Sequence, residues 1–264
     1  ARGLRRLREH LTDGVDEAAF DRALGPIPFS RLVRVELTKA TDTRAARWLL
    51  ALVGLSTAGM MLAPILAPER FDQTYAGYLE VASIAQVILV PIVGILMLTG
   101  EWSHRSVITT FTQETRRIRV VSAKVVASLM LSGGAAVFGG VVTAAGLALA
   151  AASGRTLEGA LSVGDITGYL LYLLLNMLGG VAIGALLQSS ATAIAAYFAL
   201  NIAVALLGTA STLIADWIDT ETTWTWVLDN DWGGHVPQIS VSVLFWVVIP
   251  LAAGAVRTLR RDVG

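Results

Sequence analysis

The 264-residue sequence contains no cysteine, three histidines (His10, His104, His235) and two lysines (Lys39, Lys124). Without cysteine there are no disulfide frameworks, thiolate zinc sites, iron–sulfur clusters or cysteine nucleophiles, and the redox compartment stays open. Three scattered histidines leave little for a metal. Neither lysine follows a glycine, so the chain lacks a Gly-rich phosphate cradle ending in lysine and hydrolyses no ATP by that route. His-Glu-x-x-His and Gly-x-Ser-x-Gly, the patterns of zinc proteases and serine elbows, are absent too. Charge is scarce, at 15% of residues, and twenty Lys and Arg balance twenty Asp and Glu. Net charge therefore argues for neither a nucleic acid nor an acidic partner surface.

What the chain has instead is apolar length. Hydrophobic residues make up 55% of it, and the mean hydropathy is +0.65. A soluble core helix keeps one apolar stripe with polar residues opposite, but here the apolar runs continue around the helix. A hydrocarbon layer about 30 Å thick needs about 20 such residues in helical form, because a helix satisfies its own backbone polar groups. Six runs qualify: Trp48–Ala67, Tyr78–Thr99, Val125–Ala152, Ile166–Leu187, Ala191–Ile214 and Ile239–Val256. The chain reads as an all-α polytopic membrane protein with an N-terminal extension (1–27), an interfacial amphipathic helix (28–47) and a six-span domain (48–264). The first run begins far from residue 1 and has no small-residue cleavage pattern, so it does not read as a cleavable signal.

Positive charge sets the expected orientation, since Lys and Arg beside spans stay in the cytoplasm. Ten lie before span one, five between spans two and three (Arg105, Arg116, Arg117, Arg119, Lys124) and three after span six. Only Arg70 and Arg155 fall on the other side, where the loops are acidic. Both termini are expected in the cytoplasm of a cell whose inner, plasma membrane holds the protein.

The connecting segments carry further patterns. Leu4, Leu7, Leu11 and Val15 form one helical stripe, and after the Gly25-Pro26-Ile27-Pro28 break, Ser30 is expected to cap a second amphipathic helix running to Trp48. The connection 100–124 places Val107, Ile108 and Phe111 on one face of a short helix suited to meeting a soluble partner. The loop 215–238 holds Trp217, Trp224, Trp226 and Trp232 with five carboxylates and no Lys or Arg. Its indoles either anchor at the headgroup level or belong to short helices lidding a cavity. Polar residues inside spans are few: Glu80, Ser83 and Gln86 near one face of span two, Asn176 in span four and Asn201 in span five. Gly180 and Gly184 make a small-xxx-small pair suited to close helix packing. Gly164-Asp165 superficially matches intramembrane aspartyl proteases, but no second membrane aspartate exists to share the proton.

Four local patterns extend this reading. They are Arg34-x-Glu36-Leu37-x-Lys39 with Thr43-Arg44; Glu101, then Arg105-Ser106-Val107-Ile108-Thr109-Thr110, Arg116-Arg117 and Ala123-Lys124; the link Gln188-Ser189-Ser190 with the large loop before span six; and the tail Arg260-Arg261-Asp262-Val263. With six spans in this order, the chain resembles the membrane subunit of an ABC-2 type transporter, an exporter permease that pairs with a separate ATPase. The resemblance covers about residues 30–264. It implies a type V exporter-like fold and a coupling helix at about 101–118 that meets the ATPase through Glu101, Arg105, Ser106, Val107, Ile108 and Phe111. It also implies that spans two and five line the path, which places Ser83, Gln86 and Asn201 there. Two permease copies, identical or related, would carry two ATPase subunits that bind ATP and Mg, while this chain holds no cofactor of its own. The aliphatic lining suits a hydrophobic or amphipathic cargo such as a drug, lipid or peptide. A second reading, a non-transporting membrane scaffold or sensor that recruits a cytoplasmic partner, stays open. A secondary carrier is disfavoured by the missing buried charge pairs and by the lack of a visible inverted repeat.

Overall fold

The computed structural model describes residues 27–103 and 117–260. Helix α1 spans Phe29–Asp42 and follows Pro28, with no side-chain cap. Ser30, expected to cap it, lies inside its first turn. The helix also does not run on to Trp48: the chain turns at Thr43, whose hydroxyl accepts a hydrogen bond from Ala46 N at 3.1 Å and so starts α2 (Arg44–Met60). A break at Met61 separates α2 from α3 (Leu62–Leu66), and the two together form span one. Span two is α4 (Tyr75–Ser103), with Pro91 in its interior. Span three is α5 (Arg117–Ala152), whose 36 residues correspond to about 54 Å at the usual rise. That exceeds the hydrocarbon layer, so one end projects beyond it. Span four is α6 (Val163–Leu187), and span five is α7 (Ser190–Gly208). Short helices α8 (Thr212–Trp217) and α9 (Thr220–Leu228) follow. Span six consists of α10 (Val236–Val243), a π-helical turn (Leu244–Val248) and α11 (Ile249–Arg260).

Among the described residues, six helices are thus long and apolar enough to cross a membrane. Most boundaries shift by a few residues from the sequence reading, and two shift by more. Span three starts earlier, because helix propagates through Arg119 and Lys124 once their charged ends find partners. Span five stops at Gly208 instead of running to 214: Thr209-Ala210-Ser211 make a turn, with Ala210 N donating to Leu207 O, and α8 starts at once. The Asp165 carboxylate accepts from Ser162 N while Ser162 Oγ accepts from Asp165 N, a reciprocal cap at the start of α6. Capping accounts for the Gly164-Asp165 dipeptide.

Spans two and four form the centre of the bundle. In the most apolar stretch of each, 61% and 56% of the residues are buried within the chain, against 11% for span five. Lipid tails are as apolar as leucine, so helix association in a bilayer depends on close packing. Small residues supply it here: a Cβ on Gly180 would overlap the Pro91 backbone, and one on Gly184 would lie 3.1 Å from Ile95 Cα. Val90, Val93, Leu98, Met177, Val181 and Ala185 fill the surrounding core.

The two ends of the bundle differ in charge. At the acidic end, Arg155 donates to the carbonyls of Pro64 (2.9 Å) and Ile65 (2.6 Å), and Thr74 bridges to Glu158. At the basic end, Thr99 Oγ1 lies 2.7 Å from Ser190 Oγ, tying the end of span two to the start of span five. Gln188, left-handed at φ 55°, ends α6 and donates to Thr258 Oγ1 at 3.0 Å.

Candidate functional site

At the basic end, α1 is held against spans two and three by buried charge. Val33 and the neighbouring Leu32 and Leu37 pack on Ala123, Ala127 and Met97. On the same side of α1, Glu36 is only 6% exposed. Its Oε2 accepts from Lys124 Nζ at 2.6 Å and its Oε1 from Lys39 Nζ at 2.9 Å. Lys124 also reaches the Met97 carbonyl in span two at 3.4 Å. Arg119, one turn before Lys124, donates to Ile27 O at 2.6 Å and so clasps the chain leading into α1. A charge leaves water at a cost of several kcal/mol unless it is paired and hydrogen-bonded. Glu36 and Lys124 meet that condition together, which commits α1 and α5 to one arrangement.

The residues expected to meet a motor lie mostly outside the described residues: Arg105, Ser106, Val107, Ile108 and Phe111 all fall between 104 and 116. The Glu101 backbone belongs to the last turn of α4. Span two therefore continues as helix into the segment read as the start of a separate coupling helix.

The three residues assigned to a path are placed differently from one another. Gln86 is fully buried between three spans: its Nε2 donates to Ala135 O of span three at 2.9 Å, and its Oε1 accepts from the Tyr169 hydroxyl of span four at 2.6 Å. Beside them, a Cβ on Gly139 would overlap the Tyr169 hydroxyl. Ser83 is buried as well and donates to Glu80 O at 2.7 Å. Both face the centre of the helix packing. Asn201 is half-buried, donates to Tyr197 O at 2.8 Å and accepts from Thr220 Oγ1 at 2.6 Å, which ties span five to the start of α9.

At the acidic end, α8 and α9 fold back over the bundle. Asp219 starts α9 by accepting from Glu221 N at 3.2 Å, and Thr223 Oγ1 donates to Ser242 Oγ of span six at 2.8 Å. Gly168 of span four lets the end of α9 approach: a Cβ there would lie 2.5 Å from Val227 O. The four tryptophans do not act alike. Trp224 is buried against span four near Gly179, Trp226 stacks on His235 at 3.9 Å, Trp217 is half-buried, and exposed Trp232 donates to Asn230 Oδ1 at 2.8 Å. Asn230 holds a left-handed backbone at φ 57°.

A fifth indole matters as much. Trp246 of span six, 2% exposed, donates to Ile218 O between α8 and α9 at 2.7 Å and packs with Trp224. In the sequence it is one more apolar residue of a span, and only its donor N–H hints at a fixed acceptor. Asp229 stands at the surface, and partial desolvation first and the charge of Asp231 second hold its carboxyl above the ordinary range.

Among the described residues, no group of three or more metal-ligating side chains comes together. No protein-family model matches the chain, and no curated protein matches it.

Proposed function

We propose that the chain is the membrane subunit of an ATP-driven exporter of the ABC-2 type, moving a hydrophobic or amphipathic substrate out of the cell with a separate ATPase as motor. The observation that carries this reading is a convergence of motifs. Arg34-x-Glu36-Leu37-x-Lys39 and Ala123-Lys124 resemble the family in two separate stretches of sequence, and in the fold their charged members meet: Lys39 and Lys124 both hold Glu36. The connection between spans two and three, which would receive the motor's movement, is thereby linked at its far side to α1 and at its near side to span two. A displacement there would move α1 and the central span as a unit.

In this reading the basic end faces the cytoplasm, in keeping with the positive-inside rule, and α8–α9 lie over the outer mouth in the plasma membrane. Asn201, hydrogen-bonded beneath α9, is the path residue that would sense the lid, while Gln86 and Ser83 set the packing of the central spans. A second permease copy and two ATPase subunits complete the assembly, and ATP with Mg belongs to the motor.

The test is purification from native membranes in mild detergent, followed by an ATPase assay. A nucleotide-binding subunit in equal amount, with hydrolysis only in the complex, supports the reading. A chain that purifies without any such subunit favours the scaffold reading and overturns export. Single cysteines placed at Thr38 and Asp231 then report sidedness: an impermeant maleimide should label Asp231→Cys on intact cells and Thr38→Cys only after permeabilisation.

A further inference from the structure

Span one begins with an unusual charge arrangement. Arg44, Arg47, Trp48 and Ala51 line an open pocket of about 510 Å³ where α2 leaves α1. Their spacing of three, four and seven residues puts them on one helical face. Thr43 caps the helix, so both arginines sit in its first two turns. That end of a helix carries partial positive charge, which disfavours cations, and no acidic residue occupies the first turn. Neither guanidinium makes a hydrogen bond or ion pair with a described residue, unlike Arg119, Arg155 and Arg257, each of which donates to a backbone carbonyl.

The same face continues as an apolar stripe directed away from the bundle. Trp48 is 76% exposed, Leu52 51% and Leu55 71%, whereas Val53 and Thr57 on the opposite side are buried. Arg44 to Leu55 covers about 16 Å of helix, close to one leaflet's share of a hydrocarbon layer about 30 Å thick. The face therefore presents, in order, two cations with no counter-charge among the described residues, an exposed indole and exposed aliphatic side chains beyond it.

We propose that this face of span one is a binding site for an anionic phospholipid, with the phosphate on Arg44 and Arg47, the glycerol region against Trp48, and an acyl chain along Leu52 and Leu55. Charge complementarity selects the occupant. The two guanidinium groups meet no anion among the described residues and can each take a phosphate through paired N–H donors, and an acyl chain needs the uncovered stripe directly below. A soluble anion would use the arginines and leave the stripe unexplained. An acidic protein segment would have to displace lipid from it. The site does not depend on the exporter reading, because it requires only that span one cross a bilayer.

Quenching of Trp48 fluorescence tests the proposal. The full chain is reconstituted into vesicles of four parts phosphatidylcholine to one part brominated phosphatidylglycerol, and into matched vesicles in which the brominated lipid is phosphatidylcholine. The Trp48 signal is the difference between the wild type and Trp48→Phe. The expected result is a roughly thirtyfold preference of the Trp48 environment for the anionic lipid, the order two cations contribute near an anionic surface. It should fall to parity in Arg44→Gln/Arg47→Gln and persist in Arg44→Lys/Arg47→Lys, which keeps the charge and separates lost binding from lost folding. Arg31→Gln/Arg34→Gln, which removes an exposed pair on α1, should retain most of it. Equal quenching by both lipids in the wild type overturns the proposal, as does a preference that survives Arg44→Gln/Arg47→Gln. Equal loss in the α1 variant also overturns it, since that outcome means diffuse attraction without a site.

Discussion

Lys124 and Glu36, 88 residues apart in sequence, meet at 2.6 Å with both side chains almost closed to solvent. The contact joins α1 to the basic end of α5 through a single carboxylate that also receives Lys39.

Removing that carboxylate should be costly. Glu36→Ala takes from Lys124 its buried anion, and breaking such a pair from one side costs about 3–5 kcal/mol. Lys39, far more exposed, should matter little: Lys39→Ala is expected to cost about 0–1 kcal/mol. Thermal unfolding in detergent measures both. Glu36→Leu/Lys124→Met, which replaces the pair with apolar volume, should recover most of the loss. A Glu36→Ala variant as stable as wild type would mean that the pair does not hold α1.

The central helix packing predicts a contrast between glycines. At Gly180 the added methyl of alanine meets the Pro91 backbone, which cannot swing aside, whereas around Gly134 nothing lies within 4 Å. Gly180→Ala should destabilise by about 1–3 kcal/mol, as overpacking does. Gly134→Ala should be neutral or slightly stabilising. Melting temperatures of the two variants in one detergent check this directly.

Trp246 should report on the attachment of α8 and α9. Trp246→Phe keeps most of the ring volume but leaves Ile218 O without its donor, at about 1 kcal/mol. The measurable consequence is faster limited proteolysis between residues 209 and 235, with the spans still resistant. Unchanged cleavage would show that Thr223, Ser242 and Trp224 hold the two helices without it.

Asp229 predicts a pH effect of definite sign. Its native carboxyl binds a proton more tightly than the unfolded one, whose ordinary value is 3.8. Its contribution therefore favours the fold at low pH and is lost as pH rises through the raised native value. Asp229→Asn should melt higher than wild type at neutral pH, and that advantage should shrink as the pH falls towards the ordinary aspartate range. An equal difference at all pH values would exclude Asp229 as its source.

The membrane spans could be read from the sequence because length and uninterrupted apolarity are local properties. The Arg34–Lys39 pattern was visible too, but the partner of Glu36 was not, since nothing local marks Lys124 as the cation that would reach it. Gln86 shows the same limit from the other side. A lone amide in an apolar span suggests a path, yet its two partners, Ala135 and Tyr169, come from helices whose register only the fold decides. The helix expected to run from Ser30 to Trp48 passed through Thr43, because an uninterrupted helical pattern on both sides hid the turn it makes.

Span six makes a comparable use of register through its π-helical turn. Among its buried residues, Ser242, Trp246, Pro250, Gly254 and Thr258 recur every fourth position, with Val247 beside Trp246. On a regular helix each such step advances about 40° around the axis, so the set would drift by about 160°. The wider turn at Leu244–Val248 absorbs one residue, about 100° of that drift, and works as a phase correction between two contacts. Trp246 can then engage Ile218 near the acidic end while Gly254 still faces the Ala185 backbone towards the basic end. Deleting one residue from this turn would leave the span almost as long but rotate its two halves out of alignment, so that one of those contacts must be lost.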